Sequence, residues 1–184
     1  MSNVYYIGWD VGGWNCDKNY NSKDAIVILD STFGIKGKPF IGNLRDAINK
    51  ATTCSEWINE LFKLCQITTE YVNQKVVIAI DTPLGYSASF VELITSKNYQ
   101  TENIGNLSLN PYLYRKTELL LFENGHHPLS AIKDMIGSQS TKGMHVLAKF
   151  ANKIPSSTGV WIDASARVTF IETYPAICKS IQAQ

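Results

Sequence analysis

The chain has 184 residues, 45% of them hydrophobic and 18% charged, and 17 Lys and Arg against 16 Asp and Glu leave a formal net charge of +1. That length favours one domain with ample material for a core. The charge balance argues against a strong non-specific nucleic-acid binder, which needs a basic excess or stripe. Four widely spaced cysteines (Cys16, Cys54, Cys65, Cys178) lack a C-x-x-C pair. The chain also opens without a signal-peptide pattern and carries no apolar run near the roughly 18 residues of a membrane span, so a cytoplasmic protein with reduced thiols is expected, away from membranes.

"VYYIGW" (4–9) is apolar and β-rich and predicts a first strand, which ends in Asp10 and turns at once on Gly12 and Gly13. "AIVILD" (25–30) predicts a buried second strand, and the polar loop "GGWNCDKNYNSK" between the two fits an antiparallel pair. Residues 32–41 leave room for a third strand, interrupted by Gly34, Gly37 and Pro39. "TCSEWINELFKLCQITTEYV" opens with Thr53 and Glu56 at capping-box spacing and places Trp57, Ile58, Leu61, Phe62 and Cys65 on one helical face. "KVVIAID" (75–81) is another apolar strand, stopped by Pro83 and Gly85.

Three more helices are predicted. "SASFVELITSK" (87–97) is short, "YLYRKTELLLFENG" (112–125) ends at Gly125, and "STKGMHVLAKFANKI" (140–154) sets Met144, Leu147, Phe150 or Ala151, and Ile154 on one face. "GVWID" (159–163) fits a short extra strand, and "RVTFIETYPA" (167–176) a last one ended by Pro175. The sum is an α/β domain over residues 1–184 with a mixed sheet, an antiparallel start and a parallel continuation. Residues 86–160 are long for one crossover and read as a largely helical insertion.

Asp10 and Asp81 close strands, and Glu172 lies in the last one. Acids at corresponding ends of neighbouring strands converge, and convergent carboxylates raise each other's pKa unless a cation sits between them. Mg²⁺ or Mn²⁺ suits such an oxygen site, and two ions about 4 Å apart could hydrolyse a phosphodiester. Taken singly, Asp10 before Gly-Gly and Asp81 before Thr-Pro are ordinary turn residues. The joint pattern makes Asp10, Asp81 and Glu172 the candidate catalytic and metal-ligating set.

"IGWDVGG", "VVIAIDTPLGYS", "YRKTELLLFENGHHPLSAI", "IGSQSTKGM" and "FIETYPA" together resemble the domain-of-unknown-function family 429, whose members are predicted nucleases of the RNase H-like fold. The resemblance runs from about residue 4 to 178. It implies an RNase H-like core with Asp10 on the first strand, Asp81 on the fourth and Glu172 on the fifth. It also matches Arg115 and Glu118 to a charged motif of the family. Proteins of that family continue past "YPA" into a helical region with an Asp-rich motif, whereas this chain ends at "ICKSIQAQ", which implies a site without its last acid.

Arg115 and Glu118, at i, i+3, make either a surface ion pair or a phosphate-holding pair. "GSQSTKG" (137–143) could cap a helix through Ser138, Ser140 or Thr141, with Lys142 as a phosphate contact near the helix start. His126 and His127 lack the i, i+4 spacing of helical metal ligands and read as a solvated turn, and His145 as a packed helix residue. Trp14, in a polar loop beside Asp10, is the aromatic placed to stack on a base. The leading expectation is a metal-dependent nuclease acting on nucleic acid. The alternatives are an inactive RNase H-like binding module and an actin-like or sugar-kinase-like phosphate binder, for which "DVGGW" is a loose match.

Overall fold

Strand β1 (Val4–Asp10) is the pivot of a six-stranded sheet. In this computed structural model, which describes residues 4–19, 21–106, 109–151 and 159–176, Ile154 and Cys178 lie outside the described residues. β1 pairs antiparallel with β2 (Asp24–Leu29) on one side, Tyr6 opposite Leu29. On the other side it runs parallel to β4 (Lys75–Asp81), in a register that sets Asp10 opposite Asp81. β3 (Phe40–Gly42) adds antiparallel to β2, and β6 (Val168–Glu172) adds parallel to β4. β5 (Val160–Ile162) closes the far edge, antiparallel to β6. The order β3-β2-β1-β4-β6-β5 has the antiparallel start and parallel continuation that the sequence predicts. The third strand is confined to three residues, with an isolated bridge between Leu29 and Ile35 ahead of it.

The helices are α1 (Arg45–Lys50), α2 (Cys54–Leu64), α3 (Ala88–Ser96), α4 (Lys116–Glu123) and α5 (Gly137–Phe150). α1 is too short to leave a periodic signal and is absent from the sequence reading. α2 starts where predicted, with the Thr53 hydroxyl accepting the Glu56 N–H at 3.2 Å. It ends well short of Val72, because Gln66 adopts a left-handed conformation (φ 58°) and the Lys38 N–H takes the Cys65 carbonyl. α4 starts at Lys116 rather than Tyr112, since the Glu118 carboxylate accepts the Arg115 N–H at 2.7 Å and fixes the helix start there. α5 begins earlier than predicted, so Ser138, Ser140 and Thr141 lie inside its first turns instead of capping it. The Thr141 hydroxyl donates to the Gly137 carbonyl at 2.7 Å.

Strands alternate their side chains between two faces. One face supplies Ile7, Trp9, Ile26, Ile28, Val76, Ile78, Ile80, Val168 and Phe170 to the core, all buried. Against it pack Ile48 of α1, Trp57, Ile58, Leu61 and Phe62 of α2, and Val146, Leu147 and Phe150 of α5. Trp57 stacks on Phe150 with ring centroids 5.2 Å apart and meets Trp9 edge-on at 5.9 Å. α5 is therefore a main-core helix, although it falls inside the stretch 86–160 read as an insertion. Cys16, Cys54 and Cys65 are free thiols, and burial pushes that of Cys54 up to about 12.

Candidate functional site

Asp10 and Asp81 are the last residues of two adjacent parallel strands and are direct register partners. Neighbouring strands lie about 4.8 Å apart, so two side chains leaving the same face at the same level are neighbours. The electrostatics carry the mark of that proximity. Burial and then the charge of Asp10 push Asp81 up to about 6. Burial, then the charge of Asp24, raises Asp10 above the ordinary carboxylate range. The sequence pairing of these two acids holds in three dimensions.

Glu172 does not join them. It lies opposite Ile80, one residue out of step with Asp81, so the pleat assigns it to the other face of the sheet. Both its oxygens are engaged. Oε1 accepts from Arg115 Nη2 and from the Tyr174 hydroxyl, each at 2.5 Å, and Oε2 accepts from Arg115 Nη1 and the Leu84 N–H, each at 3.0 Å. Arg115 also grips the buried carboxylate of Glu118. Burial alone would lower the Arg115 pKa, but its bonds to Glu172 and Glu118 outweigh that and hold it above its ordinary value. Burial, then the charge of Glu172, raises the Tyr174 phenol. Arg115, Glu118 and Glu172, expected as substrate and metal contacts, form one internal ion cluster. Through Leu84 this cluster anchors the turn that follows Asp81.

Lys142 is also withdrawn from any phosphate. It is fully buried, with Nζ 2.5 Å from Asp24 Oδ2 and 3.1 Å from the Gly13 carbonyl. Asp24 is equally buried and accepts from Trp9 Nε1 at 3.0 Å and from the N–H groups of Gly12 and Leu44, each at 2.8 Å. Gly13 N–H is shared between the Ser22 carbonyl and hydroxyl. Gly12 lets the turn press against the backbone of 22–24, where a Cβ would collide, and Gly13 lies against the Ser138 side chain of α5. Their N–H groups are spent inside the fold, so "DVGG" is a packed turn and not a cradle for nucleotide phosphates. Trp14 is likewise committed. Its Nε1 donates to Thr141 Oγ1 at 3.2 Å and its ring meets His145 edge-on at 5.5 Å, which ties the loop after β1 to α5.

No protein-family model matches this sequence, and no curated protein or solved structure is significantly similar to it.

Asp10 and Asp81 open into a cavity of about 610 Å³, a volume usual for small-ligand sites. Ser22, Gln139, Tyr174, His126 and His127 share its wall. The two histidines, read from sequence as a solvated turn, belong to this cavity. Nothing local could have revealed it, since only the path of the chain after α4 brings residues 126–128 back over the ends of β1 and β4. Among the described residues no group of three or more His, Cys, Asp or Glu is arranged to hold a metal ion. Two anionic oxygen donors still fit a hard cation, which takes one or two carboxylates and completes its shell with water and substrate phosphate.

Proposed function

We propose that this chain is a divalent-metal-dependent hydrolase of nucleic-acid phosphodiesters, built on an RNase H-like sheet. The observation that carries the reading is the in-register Asp10–Asp81 pair, with raised carboxyl pKa values, at the floor of a cavity of about 610 Å³. The mixed sheet, antiparallel on one side of β1 and parallel on the other, supports the reading. Asp10 and Asp81 would hold Mg²⁺ or Mn²⁺, whose chemistry is to polarise a phosphoryl oxygen and lower the pKa of a water. Two carboxylates suffice for one ion. With Glu172 bound to Arg115, a second ion has no third ligand, so the reading is a single-cation site. The Arg115–Glu172 pair then holds the 82–84 turn, and thereby Asp81, in place. The imidazoles of His126 and His127 stand on the cavity wall, where they can hydrogen-bond a phosphate oxygen.

Titration calorimetry with Mn²⁺ tests this. The wild type should bind, and Asp81→Asn should lose at least about tenfold in affinity, the equivalent of 1.4 kcal/mol. Unchanged binding removes the shared-cation site and the hydrolase reading with it. The withdrawal of Glu172 favours a second reading, a nucleic-acid-binding module that binds a cation without cleaving. Single-stranded, duplex and branched substrates incubated with Mn²⁺ separate the two: cleavage lost in Asp81→Asn supports the hydrolase, and intact substrate beside normal Mn²⁺ binding supports the module.

A further inference from the structure

The sheet face opposite the core carries no buried residue at any described strand position. Yet its composition is that of an interior. Tyr6 and Gly8 of β1, Ala25, Val27 and Leu29 of β2, and Val77 and Ala79 of β4 line its centre. Ile171 of β6 continues it, and Ile41 and Ile162 carry it to both edges at 68% and 45% exposure. A patch this wide and this apolar is uncommon on a protein that works alone.

Gly8 adds an independent sign. It sits inside the central strand, where glycine sacrifices packing and typically marks close approach by another backbone. Within this chain nothing approaches: a Cβ at Gly8 would meet no heavy atom within 4 Å.

The charges on the rims indicate what approaches. The middle of the face is free of charge, so identical faces do not repel. Lys75 stands exposed at the entry end of β4, with exposed Asp10 and half-buried Asp81 at the exit ends of β1 and β4. Stacking two copies with strands parallel would crowd four carboxylates at one end. Stacking them antiparallel, about a two-fold axis across the strands, sets each β4 over the other β4 and brings Lys75 to the opposing acidic rim. The same axis places the gap at Gly8 over the Tyr6 ring of the other copy. Strands of three to seven residues, at about 3.3 Å per residue and about 4.8 Å apart, give a six-stranded face on the order of 500 Å². A pair then buries on the order of 1,000 Å², the threshold for a specific interface.

We propose that this open face is the contact between two copies of the chain, packed sheet on sheet with strands antiparallel. The interface sets Lys75 against the same Asp10–Asp81 rim that the hydrolase reading gives to a cation, but its test reads molecular mass in the absence of metal and so stands or falls apart from that reading. Sedimentation equilibrium of the full chain should give twice the monomer mass at tens of micromolar. Gly8→Glu, which the monomer can accommodate, and Val27→Glu should sediment as monomers with their thermal unfolding transitions retained. Lys75→Glu should weaken association at least tenfold. A wild type that sediments as a monomer at 100 micromolar overturns the proposal, as does a folded Gly8→Glu protein that remains dimeric. Undiminished association in Lys75→Glu overturns the antiparallel arrangement.

Discussion

Asp81 concentrates the chemistry of the site in one side chain. Its folded pKa is raised, to about 6 from an ordinary 3.8, so the fold favours the protonated form. The sign follows: that preference stabilises the fold fully below about pH 4 and is lost as pH rises through about 6. With a chelator present, Asp81→Asn should therefore be more stable than wild type at pH 7. A shift of this size corresponds to about 3 kcal/mol, which partial solvent contact reduces to about 1–2 kcal/mol. At pH 4 the difference should vanish, and paired thermal melts at the two pH values check both halves. A pair of acids that is less stable than its uncharged replacement follows the usual exchange of stability for function.

Among the elements, α5 is held to the sheet by a buried ion pair as well as by packing. Lys142 reaches from α5 to Asp24 at the start of β2, and both are wholly inside. Removing one partner leaves a buried charge unsatisfied, so Lys142→Met should cost about 3–5 kcal/mol in urea denaturation. A surface phosphate contact, the role suggested by "GSQSTKG", would give almost no change in stability. α4 is fixed in a parallel way by Arg115, whose guanidinium holds Glu118 at the helix start and Glu172 at the end of β6. Arg115→Met strands two carboxylates, and a loss of about 3–5 kcal/mol is expected there too. Glu172→Gln separates this role from metal ligation. It should leave Mn²⁺ affinity within about twofold, a difference under 1 kcal/mol, while lowering the melting temperature.

The whole molecule has a one-sided core. Trp57 is its centre, fully buried between Phe150 of α5 and Trp9 of β1, with Phe170 of β6 at 6.2 Å. Trp57→Ala should cost about 3–5 kcal/mol, the usual range for deleting a large buried aromatic, and equilibrium unfolding reads it directly. No described helix is long and apolar enough to cross a membrane.

The sequence by itself determined the strands, because their period and β-branched content act over a few neighbouring residues, and it placed Asp10 and Asp81 at strand ends for the same local reason. The start of α2 was equally legible in Thr53 and Glu56, whereas its end was not, since a left-handed Gln66 depends on what Lys38 binds. Only the tertiary structure decided the rest. Register is a relation between distant segments, and a one-residue offset sent Glu172 to the other face and into the grip of Arg115. Lys142 and Asp24, 118 residues apart in sequence, became a buried pair through the path of α5. His126 and His127 reached the cavity by the same kind of long return. Local chemistry wrote the elements and two of the acids, but which acids sit side by side and which charges neutralise each other is a property of pairs that meet only on folding.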